Sequence, residues 1–488
     1  MNEPVYIGID IGTQSTRVMA VTETGDIVAT ASRPLTSHRE GPRHEQQPDD
    51  WWRAVAESLR SVTSELGSSS PVRGLCVDAT SGTILLVDKE GRPVTPGLMY
   101  DDARANAEAI EVDQKGAALW EQLSYRVQPS WALPKLLWLL RHGAAPHTYR
   151  LMHQNDWINF RLAGHPLSTD SSHALKTGYD LLQSHWPSDI FDTLGIPTNM
   201  LPEVVAPGTR IGSVSTVCAT ETGLPAGTPI YAGMTDGCAA QIASGAVGIG
   251  DWNTVIGTTL VVKGVTRNLL CDPLRAVYSH RSMDGLWLPG GASSTGASAI
   301  TAAFKSEDLP ALNKHAEHAQ PTPLVIYPLA TRGERFPFAA PDAEGFTLGV
   351  ARSTEEHYQA VLQGIALWER LSFDALRAMG APMEGRFTIS GGATRSHALN
   401  QMRADAMQRT LTIPAVTEGA FGMAILASAA ESSLTDAVSR MIKPGVPIHP
   451  KRPFSDYAPQ YHLLLSELHR RGWLPDSLFA TASQEANA

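Results

Sequence analysis

The chain has 488 residues, 43% of them hydrophobic and 18% charged, with a formal net charge of -10. That length exceeds what one hydrophobic core serves, so two large domains are expected, while the acidic balance without any Lys/Arg run argues against a nucleic-acid or anionic-membrane partner. Four scattered cysteines, Cys76, Cys218, Cys238 and Cys271, lack C-x-x-C spacing and predict neither a disulfide framework nor a zinc site. No apolar stretch is long enough to span a bilayer, and the start runs directly into strand pattern, so the expected location is cytoplasmic.

Val5 to Thr22 reads as two β-branched runs around Gly12-Thr13-Gln14-Ser15, a pattern that predicts a hairpin. A P-loop or a dinucleotide-binding turn would instead lead from a strand into a helix. Asp10 closes the first strand, and the amides and hydroxyls of Thr13, Ser15 and Thr16 can hydrogen-bond phosphate oxygens; an ordinary polar hairpin explains the same residues. Gly25-Asp26 then turns the chain into a third strand over 27–33, and Pro48-Asp49-Asp50 starts a helix with Trp52, Val55, Leu59 and Val62 on one face. Strands follow over 72–78 and 82–88, separated by the polar knot Asp78-Ala79-Thr80-Ser81-Gly82, the kind of loop on which chemistry tends to sit.

Tyr100-Asp101-Asp102-Ala103-Arg104 places two carboxylates and a guanidinium at a strand-to-helix transition, where a helix cap would look the same. Residues 105–200 read mainly as helices, with the apolar segment 130–140 around Lys135 assigned to core packing, and 202–212 reads as a linker. A short strand then ends in Thr235-Asp236-Gly237 before a small-residue helix over 238–245. Small neighbours leave room for a substrate beside Asp236; capping by an Asx turn is the plainer alternative. The strand, Gly-Thr turn and strand of the start recur at Ile256-Gly257-Thr258-Thr259 and 262–266, which suggests an internal duplication. Two such hairpins facing a common cleft would suit a phosphate chain. Further on, the strand ending in Ser390-Gly391-Gly392 enters a helix over 398–409, a turn that admits a flat ring or a phosphate. After a strand over 412–416, Glu418 to Ala424 forms a small-residue helix start suited to lying against a nucleotide. The polar, Ala/Ser-rich end is expected to be disordered.

With these pieces in order, the chain from Tyr6 to Leu463 resembles the FGGY carbohydrate kinase family of the actin-like superfamily. The resemblance rests on D-I-G-T-Q-S-T-R (10–17), Y-D-D-A-R (100–104), the Lys135/Trp138 segment, G-M-T-D-G (233–237), I-G-T-T (256–259), G-E-R-F-P (333–337), S-G-G-A-T-R-S (390–396) and E-G-A-F-G-M-A (418–424). The chain departs from the family pattern at Ala132, at Tyr100 where many members have Trp, and over 349–363. The resemblance implies an α/β fold of two duplicated actin-like, ribonuclease H-like domains with a cleft between them. A sugar-binding domain would span 1–245, a nucleotide-binding domain 246–470, and a flexible tail 471–488.

It also implies an ATP-dependent kinase working with Mg2+, in which Asp236 is the catalytic base and Asp10 helps hold the metal. Thr13, Gln14, Gly257, Thr258 and Thr259 match positions around the transferred phosphate; Gly391, Gly392, Ser396 and Asn400 match the adenosine region, and Gly422 lies in the closing motif. Arg17 is the nearest candidate for a phosphate clamp, with a strand-edge salt bridge as its alternative. Ser81, Asp102, Arg104 and Asp236 would contact the sugar. The strand end at Thr80-Ser81, where xylulose kinases usually carry Met-His, resembles D-ribulose kinases more closely, with D-xylulose or another polyol or ketose as the alternative. Two readings from other classes are a catalytically silent sugar- or nucleotide-binding regulator and an actin-like filament or chaperone ATPase. A homodimer is common among such proteins.

Overall fold

The structure, a computed structural model, describes residues 3–67, 70–143 and 149–487. It comprises two compact units, one made of Met1–Val247, His280–Leu288 and Val416–Lys443, the other of Gly248–Ser279, Pro289–Ala415 and Pro444–Ala488.

In the first unit the initial hairpin forms as the alternation requires. Val5–Ile11 runs antiparallel to Ser15–Thr22 with Asp10 opposite Arg17, and the turn closes through the Gly12 N–H donating to Ser15 O at 3.1 Å. Ile27–Pro34 adds an antiparallel strand on one side, while Val72–Ala79 and then Pro229–Tyr231 add parallel strands on the other. Parallel neighbours need a long crossover. The helix Pro48–Leu66 lies within the first crossover: Pro48 opens it, Asp49 and Asp50 occupy its first turn, and Trp51, Trp52, Val55, Leu59 and Val62 form its buried face.

The second unit repeats this plan. Trp252–Ile256 pairs antiparallel with Leu260–Gly264, which pairs antiparallel with Trp287–Ala292; on the other side Phe387–Ser390 and Leu411–Ile413 follow in parallel. Five strands thus share order and direction in both sheets, and the repeated Gly-Thr turn is the visible trace of a duplicated sheet unit. The long helix Thr354–Ala378, capped by Ser353, carries the crossover before Phe387–Ser390 and is buried along most of its length.

Two expectations are corrected. Residues 202–212 are not a linker: Arg210–Ser213 is the antiparallel edge strand of the first sheet, paired with Pro229–Tyr231. The end of the chain is not a flexible tail, because Asp476–Asn487 is a helix. Its Leu478, Ala482 and Ala486, spaced four apart, line one face and are buried, and Arg370 Nη2 donates to Glu485 O at 2.9 Å. Bulk composition hid that stripe. The segment Val416–Lys443 groups with the first unit. All four cysteines are free, Cys271 alone being exposed, and no helix among the described residues is long and apolar enough to cross a membrane.

Candidate active site

The first unit gathers carboxylates at the ends of its central strands. Parallel pairing sets Asp10 directly beside Asp78. Asp78 is 0% exposed and neither of its oxygens meets a hydrogen-bond donor among the described residues. The two carboxyl groups lie within hydrogen-bonding reach of each other, yet as carboxylates neither can donate. Burial, then the neighbouring charges of Asp10 and Asp236, pushes Asp78 well above the ordinary carboxylate range; burial pushes Asp10 up to about 6. Low dielectric disfavours the charged form, and like charges add to the effect. A methyl group at Gly419 would sit 3.0 Å from Asp78 Oδ2 and 3.3 Å from Asp10 Cγ, tighter than ordinary contact, so the start of the helix Gly419–Ala429 lies close over the pair.

Asp236 is exposed, in the first turn of the helix Asp236–Ala243, with Oδ1 accepting from the Gly237 N–H at 2.7 Å. Its placement depends on a buried polar network. The Thr235 N–H donates to Ser172 Oγ at 3.0 Å, and Ser172 donates in turn to Asp170 at 2.5 Å. Asp170 also accepts from His173 Nδ1 at 2.6 Å and from the Asn155 amide at 3.1 Å. His173 Nε2 lies 3.3 Å from Ala79 O, so one network ties the end of the Val72–Ala79 strand to the turn that carries Asp236. Burial opposes both charges of this pair, but their mutual attraction holds Asp170 low and His173 high.

A second constraint comes from the helix Gly419–Ala429. A Cβ at Gly8 would stand 1.7 Å from Ala420 O, and one at Gly422 would stand 2.0 Å from Ala239 O. The helix backbone therefore touches both the strand bearing Asp10 and the helix bearing Asp236, which fixes the separation of those two residues. Gly422, expected at the nucleotide, occupies this helix crossing in the first unit.

The sugar-side residues have defined partners. Asp102, fully buried, accepts from the His44 N–H at 2.7 Å and from Arg104 Nη2 at 2.6 Å. Arg104 also reaches Glu45 at 2.6 Å and lies 5.0 Å over the Trp138 ring. This buried pair shapes the 100–104 loop, whose exposed ring is Tyr100. Ser81 differs: its Oγ is buried with no partner among the described residues. Lys135 proves to be more than core filling, since its buried Nζ donates to Met99 O at 2.7 Å and anchors the strand that leads into the loop. Burial lowers it to about 7. Lys176 Nζ donates to Ser81 O at 3.2 Å; burial lowers it to about 8 against the attraction of Asp236. In the first hairpin, Thr13 and Gln14 hold their backbone carbonyls to Gln46 Nε2 and the Leu35 N–H at 2.7 and 2.8 Å. Arg17 pairs with Glu418 at 3.6 Å, the salt-bridge alternative.

In the second unit, Gly257, Thr258 and Thr259 form the turn between Trp252–Ile256 and Leu260–Gly264, with Thr258 exposed. Gly391 and Gly392 follow the strand Phe387–Ser390. Ser396 caps the helix His397–Met407 by accepting the Leu399 N–H at 3.2 Å, and also bonds Asn313. Asn400 donates to Thr394 O at 2.7 Å while its buried Oδ1 has no partner among the described residues.

Residues 5–243 match the FGGY family of carbohydrate kinases, N-terminal domain, and 250–431 match the C-terminal domain of the same family. The chain belongs to the FGGY family of carbohydrate kinases. It is an ATP-dependent carbohydrate kinase. Among its relatives, the xylulose kinase of Escherichia coli (strain K12) is 26% identical over 457 residues, covering 90% of this chain and 93% of that protein. The xylulose kinase of Bacillus subtilis (strain 168) is 26% identical over 472 residues, covering 91% and 92%. The crystal structure of xylulose kinase from Rhodospirillum rubrum superposes with a TM-score of 0.86 at 27% identity, covering 95% of this chain and 99% of that one.

Reading the FGGY motifs along the sequence left out Asp78, Ser172, Asp170 and Lys176. Asp78 stood in view inside a polar knot, but its adjacency to Asp10 is a pairing of strands distant in sequence, which no local pattern encodes.

Proposed function

We propose that this FGGY kinase transfers the γ-phosphoryl group of ATP to the terminal primary hydroxyl of a ketopentose, D-ribulose first, giving D-ribulose 5-phosphate. The observation that carries the reading is Asp236, exposed on a helix's first turn and locked there by the Ser172 and Gly422 contacts. Phosphoryl transfer asks the protein for placement, charge neutralisation and acceptance of the hydroxyl proton. Asp236 takes that proton as the sugar oxygen bonds to phosphorus. Thr13, Gln14, Gly257, Thr258 and Thr259 present backbone and hydroxyl groups to the phosphate. Gly391, Gly392, Ser396 and Asn400 receive the adenosine, where the unanswered Asn400 Oδ1 is an acceptor for a ligand N–H.

Mg2+ fits Asp10, which lies beside a second carboxylate with unanswered oxygens. No group of three or more His, Cys, Asp and Glu side chains among the described residues could hold an ion unaided. Mg2+ is usually held by one or two carboxylates together with phosphates and water. When bound, the ion supplies neutralisation of charge on the phosphate oxygens.

The D-ribulose preference is supported by Thr80-Ser81 and the unpartnered Ser81 hydroxyl; a site built to bond a particular hydroxyl can reject an epimer strongly. D-xylulose is the second reading, favoured by the names of the relatives. The test is ADP release with ATP and magnesium against D-ribulose, D-xylulose, L-ribulose, L-xylulose, ribitol, xylitol and glycerol, alongside Asp236→Ala. One ketopentose should stand out in kcat/KM, and Asp236→Ala should lose on the order of 10²–10⁴-fold. A panel with no sugar-stimulated turnover would overturn the reading in favour of a silent binding protein.

A further inference from the structure

Glu334, in the second unit, is 2% exposed, and six uncharged donors converge on its carboxylate. Oε1 accepts the N–H groups of Ser294 at 2.6 Å, Arg335 at 2.8 Å and Phe336 at 3.4 Å. Oε2 accepts the hydroxyls of Ser293 at 3.0 Å, Thr295 at 2.9 Å and Tyr327 at 3.1 Å. The direction of the Ser293 bond is fixed, because its oxygen already receives the Thr295 N–H and Trp368 Nε1, each at 2.9 Å. A hydroxyl oxygen has two acceptor positions, so the Ser293 proton is left for Glu334. The network therefore needs an acceptor on both oxygens, which an ionised carboxylate supplies, and bonds to a charged acceptor are about twice as strong as neutral ones. The Arg335 guanidinium holds the same loop, with Nε 3.2 Å from Ser294 Oγ and Nη2 3.2 Å from Ser293 O.

That loop is bonded to the repeated Gly-Thr turn. The Ser293 N–H donates to Leu260 O at 2.9 Å and the Leu260 N–H to Thr295 O at 2.8 Å, while the N–H groups of Ala297 and Ser298 donate to Gly257 O and Thr258 O at 2.9 and 3.1 Å. A Cβ at Gly296 would stand 2.6 Å from Thr258 O, so the two backbones touch. The turn has little packing of its own: Thr258 is exposed, and a Cβ at Gly257 would meet nothing within 4 Å. We propose that Glu334 is a positioning residue for the turn Gly257-Thr258-Thr259, fixing the 293–298 loop and through it the groups that the turn presents to the nucleotide's phosphates. The inference rests on the reading that this turn meets those phosphates. Donors held in place before the substrate arrives are what phosphoryl transfer gains most from.

The test is calorimetric titration of the full-length protein, without sugar, with Mg-ADP and separately with adenosine, which lacks the phosphates. Glu334→Gln keeps the side chain's shape but turns an N–H toward groups that are themselves donors, and should weaken ADP binding about five- to tenfold. Glu334→Ala removes every bond and should weaken it on the order of 10²-fold. Adenosine affinity should stay within about twofold in Glu334→Gln, since the network acts on the phosphate turn alone. Equal losses for ADP and adenosine in a folded Glu334→Gln, or wild-type ADP affinity in that variant, overturn the proposal. Thr258→Asp places a negative charge on the exposed turn and tests the underlying reading. If it weakens ADP binding while Glu334→Gln does not, the positioning role alone fails; if it leaves ADP affinity unchanged, the turn does not meet the phosphates and both fall.

Discussion

Gly422→Ala isolates the helix crossing that spaces Asp10 from Asp236. The added methyl would lie 2.0 Å from Ala239 O and 2.9 Å from Ala239 C. Ordinary contact begins at 3.4 Å, so the two helices must part by about 1.4 Å at that point. Replacing Gly by Ala inside a helix gains about 1 kcal/mol, whereas overpacking a filled crossing costs roughly 1–3 kcal/mol. The net loss should therefore reach about 2 kcal/mol at most, which leaves the protein folded. Catalysis should suffer far more, because a shift of about 1 Å in a catalytic group costs on the order of 10²-fold. Urea denaturation followed by far-UV circular dichroism measures the first effect and ADP release at saturating sugar and ATP the second. A variant with wild-type kcat and an undiminished midpoint would refute the claim that this crossing sets the position of Asp236.

The other expectations concern the buried polar groups. Ser172→Ala leaves the buried Thr235 N–H without its acceptor and should cost about 1–3 kcal/mol, with kcat falling more than KM rises; an unchanged denaturation midpoint would count against the network. Lys135 is held to about 7 by burial, against about 10.4 in an unfolded chain. Below pH 7 both states carry the proton and the folded state bears the whole desolvation cost; between pH 7 and 10 the unfolded state binds more protons, so wild-type stability gains with rising pH. Lys135→Met should therefore be more stable than wild type near pH 6.5, with an advantage that shrinks by pH 9.5, and an advantage independent of pH would contradict the assignment. Lys176, held to about 8, should lose its charge above that pH, so wild-type kcat/KM should fall there. Lys176→Arg, charged throughout, should carry the plateau higher; identical alkaline limbs would remove Lys176 from the sugar site.

Much of this molecule was legible in one dimension because its signals are local. Alternation over 5–22 and 252–264 sets both hairpins, Pro48 with its acidic first turn sets the first helix, and the ordered motifs identify the FGGY family and single out Asp10 and Asp236. Composition misled at the end of the chain, where Leu478, Ala482 and Ala486 form a buried stripe within an Ala/Ser-rich stretch. What only the tertiary structure decided are the distant pairings: Asp78 beside Asp10, Ser172 beneath Thr235, Gly422 against Ala239, and the inclusion of Val416–Lys443 in the first unit. Each follows from parallel strands and crossing helices brought together across long intervals of sequence. The energy of those contacts lies in burial and close approach, which depend on neighbours in space and so leave no periodicity along the chain.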